Sequence, residues 1–164
     1  MQVPWRRVAS WHCNACGICC KVYRPKLTAY EYLKLKSTGF VEERAGRFYI
    51  RKINGLCPFQ RGNLCSLQQN LKPLACKIFP FIVRRKGSEE ALFELDGEIY
   101  YVYADTFCPN LLVKSDLKPV DRVYELVKEA VLLFTGKREF KLLTAQLNQE
   151  TAKLQQLHLR LAMA

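Results

Sequence analysis

The sequence predicts an α+β fold: a small cysteine-rich metal-binding domain with short antiparallel strands, followed by a C-terminal two-helix segment. Three observations carry this reading. Seven of the eight cysteines fall between residues 13 and 76, four of them within eight residues. Between residues 47 and 104, short β-rich runs are set apart by Asn-Gly and Asp-Gly turn signals. After Pro119 the apolar residues recur at three- and four-residue spacing, which is helical. The chain is therefore divided into a cysteine-cluster metal-binding domain, 1–117, and a helical segment, 118–164. At 164 residues, 49% hydrophobic and 25% charged, it can bury a core without disulfide props, so eight cysteines need another explanation.

The elements follow in order. Residues 11–21 hold four cysteines and Gly17 and read as a metal-binding loop or knuckle. Residues 28–37 read as a helix, with Thr28 as N-cap, Glu31 as its capping-box partner and Gly39 as the stop. Residues 47–53 read as a strand ending at the Asn54-Gly55 turn. Pro58, Gly62, Pro73 and Pro80 punctuate residues 56–80, which predicts loops and short turns around three cysteines. Strands are expected at Phe81–Arg85, Ala91–Leu95 and Glu98–Ala104, with Asp96-Gly97 joining the last two as a hairpin. Glu94, Asp96 and Glu98 fall on one face of that hairpin, its solvated side.

Val120, Val123, Val127, Val131 and Phe134 mark the first C-terminal helix, with Pro119 at its start and Gly136 at its stop. A second helix is expected over about 137–161. Phe140, Leu147, Leu154 and Leu161 are seven apart, and Leu143, Glu150 and Leu157 form a companion row. Such a helix packs back on its own domain or forms a homodimer seam.

Charge is unevenly spread. Residues 1–86 carry 17 Lys and Arg against 3 Asp and Glu; residues 87–164 carry 9 against 12. Cations balancing buried thiolates explain this, since metal ligands are deprotonated. A nucleic-acid contact through basic residues 1–86, with Arg84, Arg85 and Lys86 as the trial surface, is the competing explanation. Trp5, Trp11, Tyr23, Tyr30, Tyr32, Phe48 and Tyr49 could stack on bases, although most suit a core. No apolar run approaches the roughly 20 residues of a membrane span. Met1 to His12 has Arg6 and Arg7 but no apolar signal-peptide core. The expected location is the cytoplasm, where clustered cysteines hold metal more often than they form disulfides.

The cysteines are the chemistry-bearing residues. Cys13, Cys16, Cys19 and Cys20 form a Cys-x2-Cys-x2-Cys-Cys run, and Cys57, Cys65, Cys76 and Cys108 follow at irregular spacing. Two-residue spacing lets a tight turn bring two sulfurs to one metal centre. A triple run grips three corners of a four-iron cluster when a fourth ligand comes from elsewhere. Of the adjacent pair Cys19 and Cys20, one is expected to serve a second site or to be a bridging or free thiol. All eight are candidate ligands, and their pairing stays open. His12 is a candidate ligand or supporting donor, and His158 reads as surface. No dinucleotide or phosphate loop is present, nor a Gly-x-Ser-x-Gly elbow, so no catalytic residue is assigned.

These residues resemble a known family. Cys13-Asn-Ala-Cys16-Gly17-Ile-Cys19-Cys20, Cys57-Pro58-Phe59, Gly62-Asn-Leu-Cys65, and Lys72-Pro73-Leu-Ala-Cys76-Lys-Ile-Phe79-Pro80-Phe81 are similar to the YkgJ-type cysteine-cluster family, a zinc- or iron-chelating domain. Cys108-Pro109-Asn110 resembles its late Cys-Pro-Gly. The chain departs by Leu67 in place of a Tyr, by Lys72 in place of an Arg, and by Asn110 in place of Gly. The resemblance implies metal binding. One branch, the flagellin lysine N-methylases, carries the pattern inside a longer chain.

The resulting expectation is a metal-cluster protein, with a [4Fe-4S] iron–sulfur cluster favoured over zinc. It would work in electron transfer or as a redox accessory with a partner protein. The rival is a zinc-stabilised module for nucleic-acid binding or protein interaction.

Overall fold

The computed structural model describes residues 1–67 and 71–137. The expected helix over 137–161, its heptad rows and His158 lie outside the described residues. The strands are β1 Gln2–Pro4, β2 Val8–Trp11, β3 Lys26–Leu27, β4 Val41–Arg44, β5 Arg47–Ile50, β6 Gln60–Arg61, β7 Leu64–Cys65, β8 Phe81–Arg84, β9 Leu92–Leu95, β10 Glu98–Asp105 and β11 Leu111–Val113. The helices are α1 Ile18–Val22, α2 Ala29–Leu35, α3 Leu74–Lys77 and α4 Asp121–Phe134. This is the expected α+β class, with every strand pairing antiparallel. The contacts divide the described chain into two units: residues 1–14 with 78–137, and residues 15–77.

The first unit is built on β10. β8 pairs along one edge of β10, with Val83 opposite Val102. β9 pairs with Glu98–Tyr101 on the other edge, and β1 pairs with Tyr103–Asp105 beyond it. The turn between β9 and β10 is Asp96-Gly97, both at positive φ (55° and 77°), as a two-residue Asp-Gly hairpin requires. β2 and β11 form a separate ribbon, with Trp11 opposite Leu111.

α4 packs against β2 and β8. It buries Val123, Leu126, Val127, Glu129, Ala130 and Val131; of the expected row, Val123, Val127 and Val131 are buried, whereas Phe134 is half-buried and Val120 precedes the helix. Its start corrects the expectation by one turn position. The helix begins at Asp121 with extended Val120 as N-cap, so Pro119 precedes the cap rather than occupying the first helical position. Its end is as expected. Gly136 adopts φ 72°, its amide donates to Leu133 O at 3.1 Å, and the Lys137 amide donates to Leu132 O at 2.9 Å. Those two bonds satisfy the last carbonyls in a left-handed glycine stop.

The second unit has a small apolar cluster of Leu27, Leu35, Ile50 and Phe59, edged by Tyr32, Phe40, Val41 and Phe48. α2 is capped as expected. Thr28 Oγ1 accepts from the Glu31 amide at 3.2 Å, and Glu31 Oε2 accepts from the Thr28 amide at 2.8 Å. Strand β5 stops at Ile50, three residues short of the expectation, because its hairpin partner β4 starts at Val41 opposite it. Ile53 instead bridges Leu56 across Asn54-Gly55, a turn with φ of 49° and 78°. β3, β5 and β4 form a three-stranded sheet in that order.

Candidate metal centre

The cysteine-bearing segments of the second unit are held by backbone ties. Gly17 at φ 72° caps the single turn of α1, which carries Cys19 and Cys20. A Cβ at Gly17 would lie 2.7 Å from Gln60 Nε2 and 3.3 Å from Asn63 Cα. Both dihedral and space therefore demand glycine where the loop meets the β6–β7 hairpin. The Cys57 amide donates to Cys20 O at 3.2 Å, joining the segment bearing Cys57 to α1. Cys65 ends β7 opposite Gln60. α3 carries Cys76, and its Leu74 amide donates to Glu31 Oε1 at 2.6 Å. Glu31 thus serves the starts of two helices, one oxygen each.

The side chains meet at Cys20, which hydrogen-bonds to both Cys19 and Cys57. Those bonds hold the Cys20 proton, so its pKa is raised, and burial adds to the effect. The same bonds stabilise the neighbouring thiolates. Cys57 is lowered from 9.0 to about 6 and Cys19 to about 7, in each case first by Cys20 and against the opposing effect of burial. Cys65 and Cys76 are raised by burial, and the Lys72 charge pulls both back. Lys72 is only 6% exposed and its field also reaches Cys19. Lys52 stands near Cys57, Cys20 and Cys19. Burial lowers its pKa, the thiolates raise it, and its ammonium donates to Lys21 O. Five thiols and two lysines thus share one neighbourhood within the second unit.

The other three cysteines are placed differently. Cys16 sits half-buried on the loop before α1. Cys13 and Cys108 belong to the first unit. Trp11 Nε1 donates to Cys108 Sγ at 3.3 Å, and Asn14 and Asn110 exchange amide hydrogen bonds of 3.4 and 2.7 Å. With Trp11 opposite Leu111, these contacts put Cys13 and Cys108 at the same end of the β2–β11 ribbon. His12 is exposed.

None of the eight cysteines is in a disulfide. Among the described residues, no three His, Cys, Asp or Glu side chains are arranged as they stand to enclose one ion. The thiols meet in a chain, Cys19 to Cys20 to Cys57, rather than around a common centre. The donor chemistry nevertheless fits a soft metal, since soft thiolates suit zinc and iron–sulfur clusters alike. Sulfurs at about 2.3 Å from zinc lie about 3.8 Å apart, a separation that neighbouring sulfurs reach at van der Waals contact.

The sequence pattern missed Lys52 as part of this neighbourhood. It sits beside Arg51 and Ile53 in a mixed run where nothing distinguishes an inward cation from a solvated one. Lys72 had a signal, as a Lys-Pro pair between two cysteines.

A chain with this thiol cluster on short antiparallel hairpins is a cysteine-cluster metal-binding protein. It belongs to the family described as "CxxCxxCC: Putative zinc- or iron-chelating domain", whose model matches residues 12–109 and so takes in all eight cysteines. Comparison with curated proteins gave no match, and comparison with solved structures gave none. No helix among the described residues is long and apolar enough to cross a membrane.

Proposed function

We propose that the chain binds an iron–sulfur cluster through clustered cysteinyl thiolates and serves as a redox or electron-transfer accessory protein. The observation that carries the reading is the gathering of Cys19, Cys20, Cys57, Cys65 and Cys76 with Lys52 and Lys72 in one unit. Four of these five thiolates suffice for a [4Fe-4S] cluster, and the fifth stays as a hydrogen-bonding neighbour. By simple charge counting, an oxidised four-iron cluster on four thiolates carries about −2, which two lysines balance. The role expected of cations across the whole basic half thus narrows to two residues. When bound, the cluster supplies a one-electron couple. The chain's own part is to half-bury the thiolates, hold their segments by the Gly17 and Glu31 contacts, and set the local charge.

The zinc alternative uses the same thiolates, and it differs in what a simple experiment reads. Protein purified without oxygen is expected to be brown, to absorb broadly near 400 nm, and to contain iron and acid-labile sulfide. Colourless protein holding one zinc per chain and no sulfide would replace the cluster with a structural zinc.

A further inference from the structure

The three-stranded sheet of the second unit has two unlike faces. Paired residues of neighbouring strands share a face, and alternate residues change face. Leu27, Phe48, Val41 and Ile50 fall on the face that packs into the apolar cluster. Lys26, Tyr49 and Glu42 line up across the three strands on the other face, with Arg44 opposite Arg47 beside them. Arg24, Arg44, Arg47 and Tyr49 line one shallow depression there, of about 560 Å³.

This face holds four cations and one acid. Glu42 takes Arg44 at two points, Nε to Oε1 at 3.0 Å and Nη2 to Oε2 at 3.1 Å, and holds Arg24 at 3.7 Å. Among the described residues, neither Lys26 nor Arg47 is ion-paired. A purely structural lattice would match acids to cations, yet this face keeps an excess of three positive charges. The cations occupy both edge strands. With strands about 4.8 Å apart, they span about 10 Å, wider than a single phosphate needs. Guanidinium forks suit phosphate oxygens, and a tyrosine ring on a sheet face offers a stacking platform for a base.

We propose that the outer face of β3–β5–β4 binds single-stranded nucleic acid, with Arg24, Lys26, Arg44 and Arg47 on phosphates and Tyr49 against a base. The inference goes beyond metal binding and does not depend on which metal is held. It also relocates the contact surface expected from the sequence. Arg84 is engaged with the Tyr103 ring at 5.0 Å and donates to Gln2 Oε1 at 2.6 Å. Arg85 lies 4.8 Å from the Tyr100 ring centre and pairs with Glu98 at 3.5 Å. Arg84 and Arg85 lie on a different sheet from Tyr49, in the first unit, and make a charge-matched control.

The test uses the full chain, purified anaerobically with its metal, and labelled oligothymidylate and oligouridylate read by fluorescence anisotropy between about 50 and 200 mM salt. Arg44→Gln/Arg47→Gln is expected to weaken binding at least about tenfold and to flatten the log-log salt slope by about 1.4, two phosphates at about 0.7 each on a single strand. Tyr49→Leu should weaken binding about tenfold with the slope unchanged. Lys26→Gln leaves the Glu42 pairs alone, so it tests the face without disturbing them, with a slope change of about 0.7. Arg84→Gln/Arg85→Gln should change affinity by less than about twofold. Circular dichroism and metal content matched to the parent establish that each variant is folded.

Three results would overturn the proposal. One is equal loss in the two double variants, which would reduce the effect to net charge. Another is binding no tighter than about 10⁻⁴ M at physiological salt, the weak end of non-specific attraction. The third is Arg44- and Arg47-dependent binding to phosphatidylserine vesicles in place of either oligonucleotide.

Discussion

The two units are of comparable length, yet they are held together by different means. Among the described residues twenty-four apolar side chains are buried, nineteen in the first unit and five in the second. The first unit has a conventional core: aromatic contacts such as Trp5 with Phe93 at 5.5 Å and Trp11 with Phe81 at 5.8 Å, sealed by the α4 stripe. The second has Leu27, Leu35, Ile50, Phe59 and Ala15 for roughly 60 residues, a length at which even a well-filled core is marginal. It also holds six of the eight cysteines. We propose that a unit so short of apolar burial and rich in thiolates draws its folding free energy from its metal, which then acts as a second core for one half of the chain.

The sharpest way to break this comparison is to remove thiolates. Cys20→Ser/Cys57→Ser should abolish most metal binding, because serine is a poor ligand for a soft metal and two of the three members of the hydrogen-bonded chain are lost. Metal analysis of the purified variant checks it, and full occupancy would place the metal on other sulfurs. The mirror experiment strikes the apolar unit. Phe81→Ala, at 1% exposure, should cost about 3–5 kcal/mol in denaturant unfolding while metal content stays at the parent level. Metal loss in that variant would mean that the two halves do not fold on separate terms.

Smaller effects sharpen the picture within the second unit. Gly17→Ala forces an unfavourable left-handed alanine and a contact with Gln60. It should destabilise by more than about 1 kcal/mol and weaken metal retention against a competing chelator. Thr28→Ala removes one side of the capping box and should cost about 1 kcal/mol, read as a small drop in the thermal midpoint with metal content unchanged.

The legible parts of the fold were those written in local chemistry. The Thr28/Glu31 box, the Asp96-Gly97 hairpin, the Gly136 stop and the α4 stripe all depend on residues within a few positions of each other. The β1 and β2 strands were not visible, because their partners β10 and β11 lie about a hundred residues away and nothing local announces such pairs. The Ala45-Gly46 turn, at φ 48° and 69°, was hidden because alanine rarely adopts a left-handed conformation. In the candidate site, the residue type was plain and the grouping was not. Spacing alone could not place Cys57, Cys65 and Cys76 beside Cys19 and Cys20, nor set Cys13 and Cys108 on the other unit's ribbon, since hairpins and backbone ties between distant segments decide both. Lys72 illustrates the same limit: the cysteines its charge acts on, Cys19, Cys65 and Cys76, come from three separate segments.

Hydrogen exchange on matched metal-loaded and chelated samples, kept reduced throughout, tests the central claim most directly. The account predicts that chelation strips protection from amides of the second unit, such as those of Cys57, Gln60 and Ser66, while those of β8, β10 and α4 keep theirs. Unchanged protection in the second unit of a sample shown to be metal-free would contradict it.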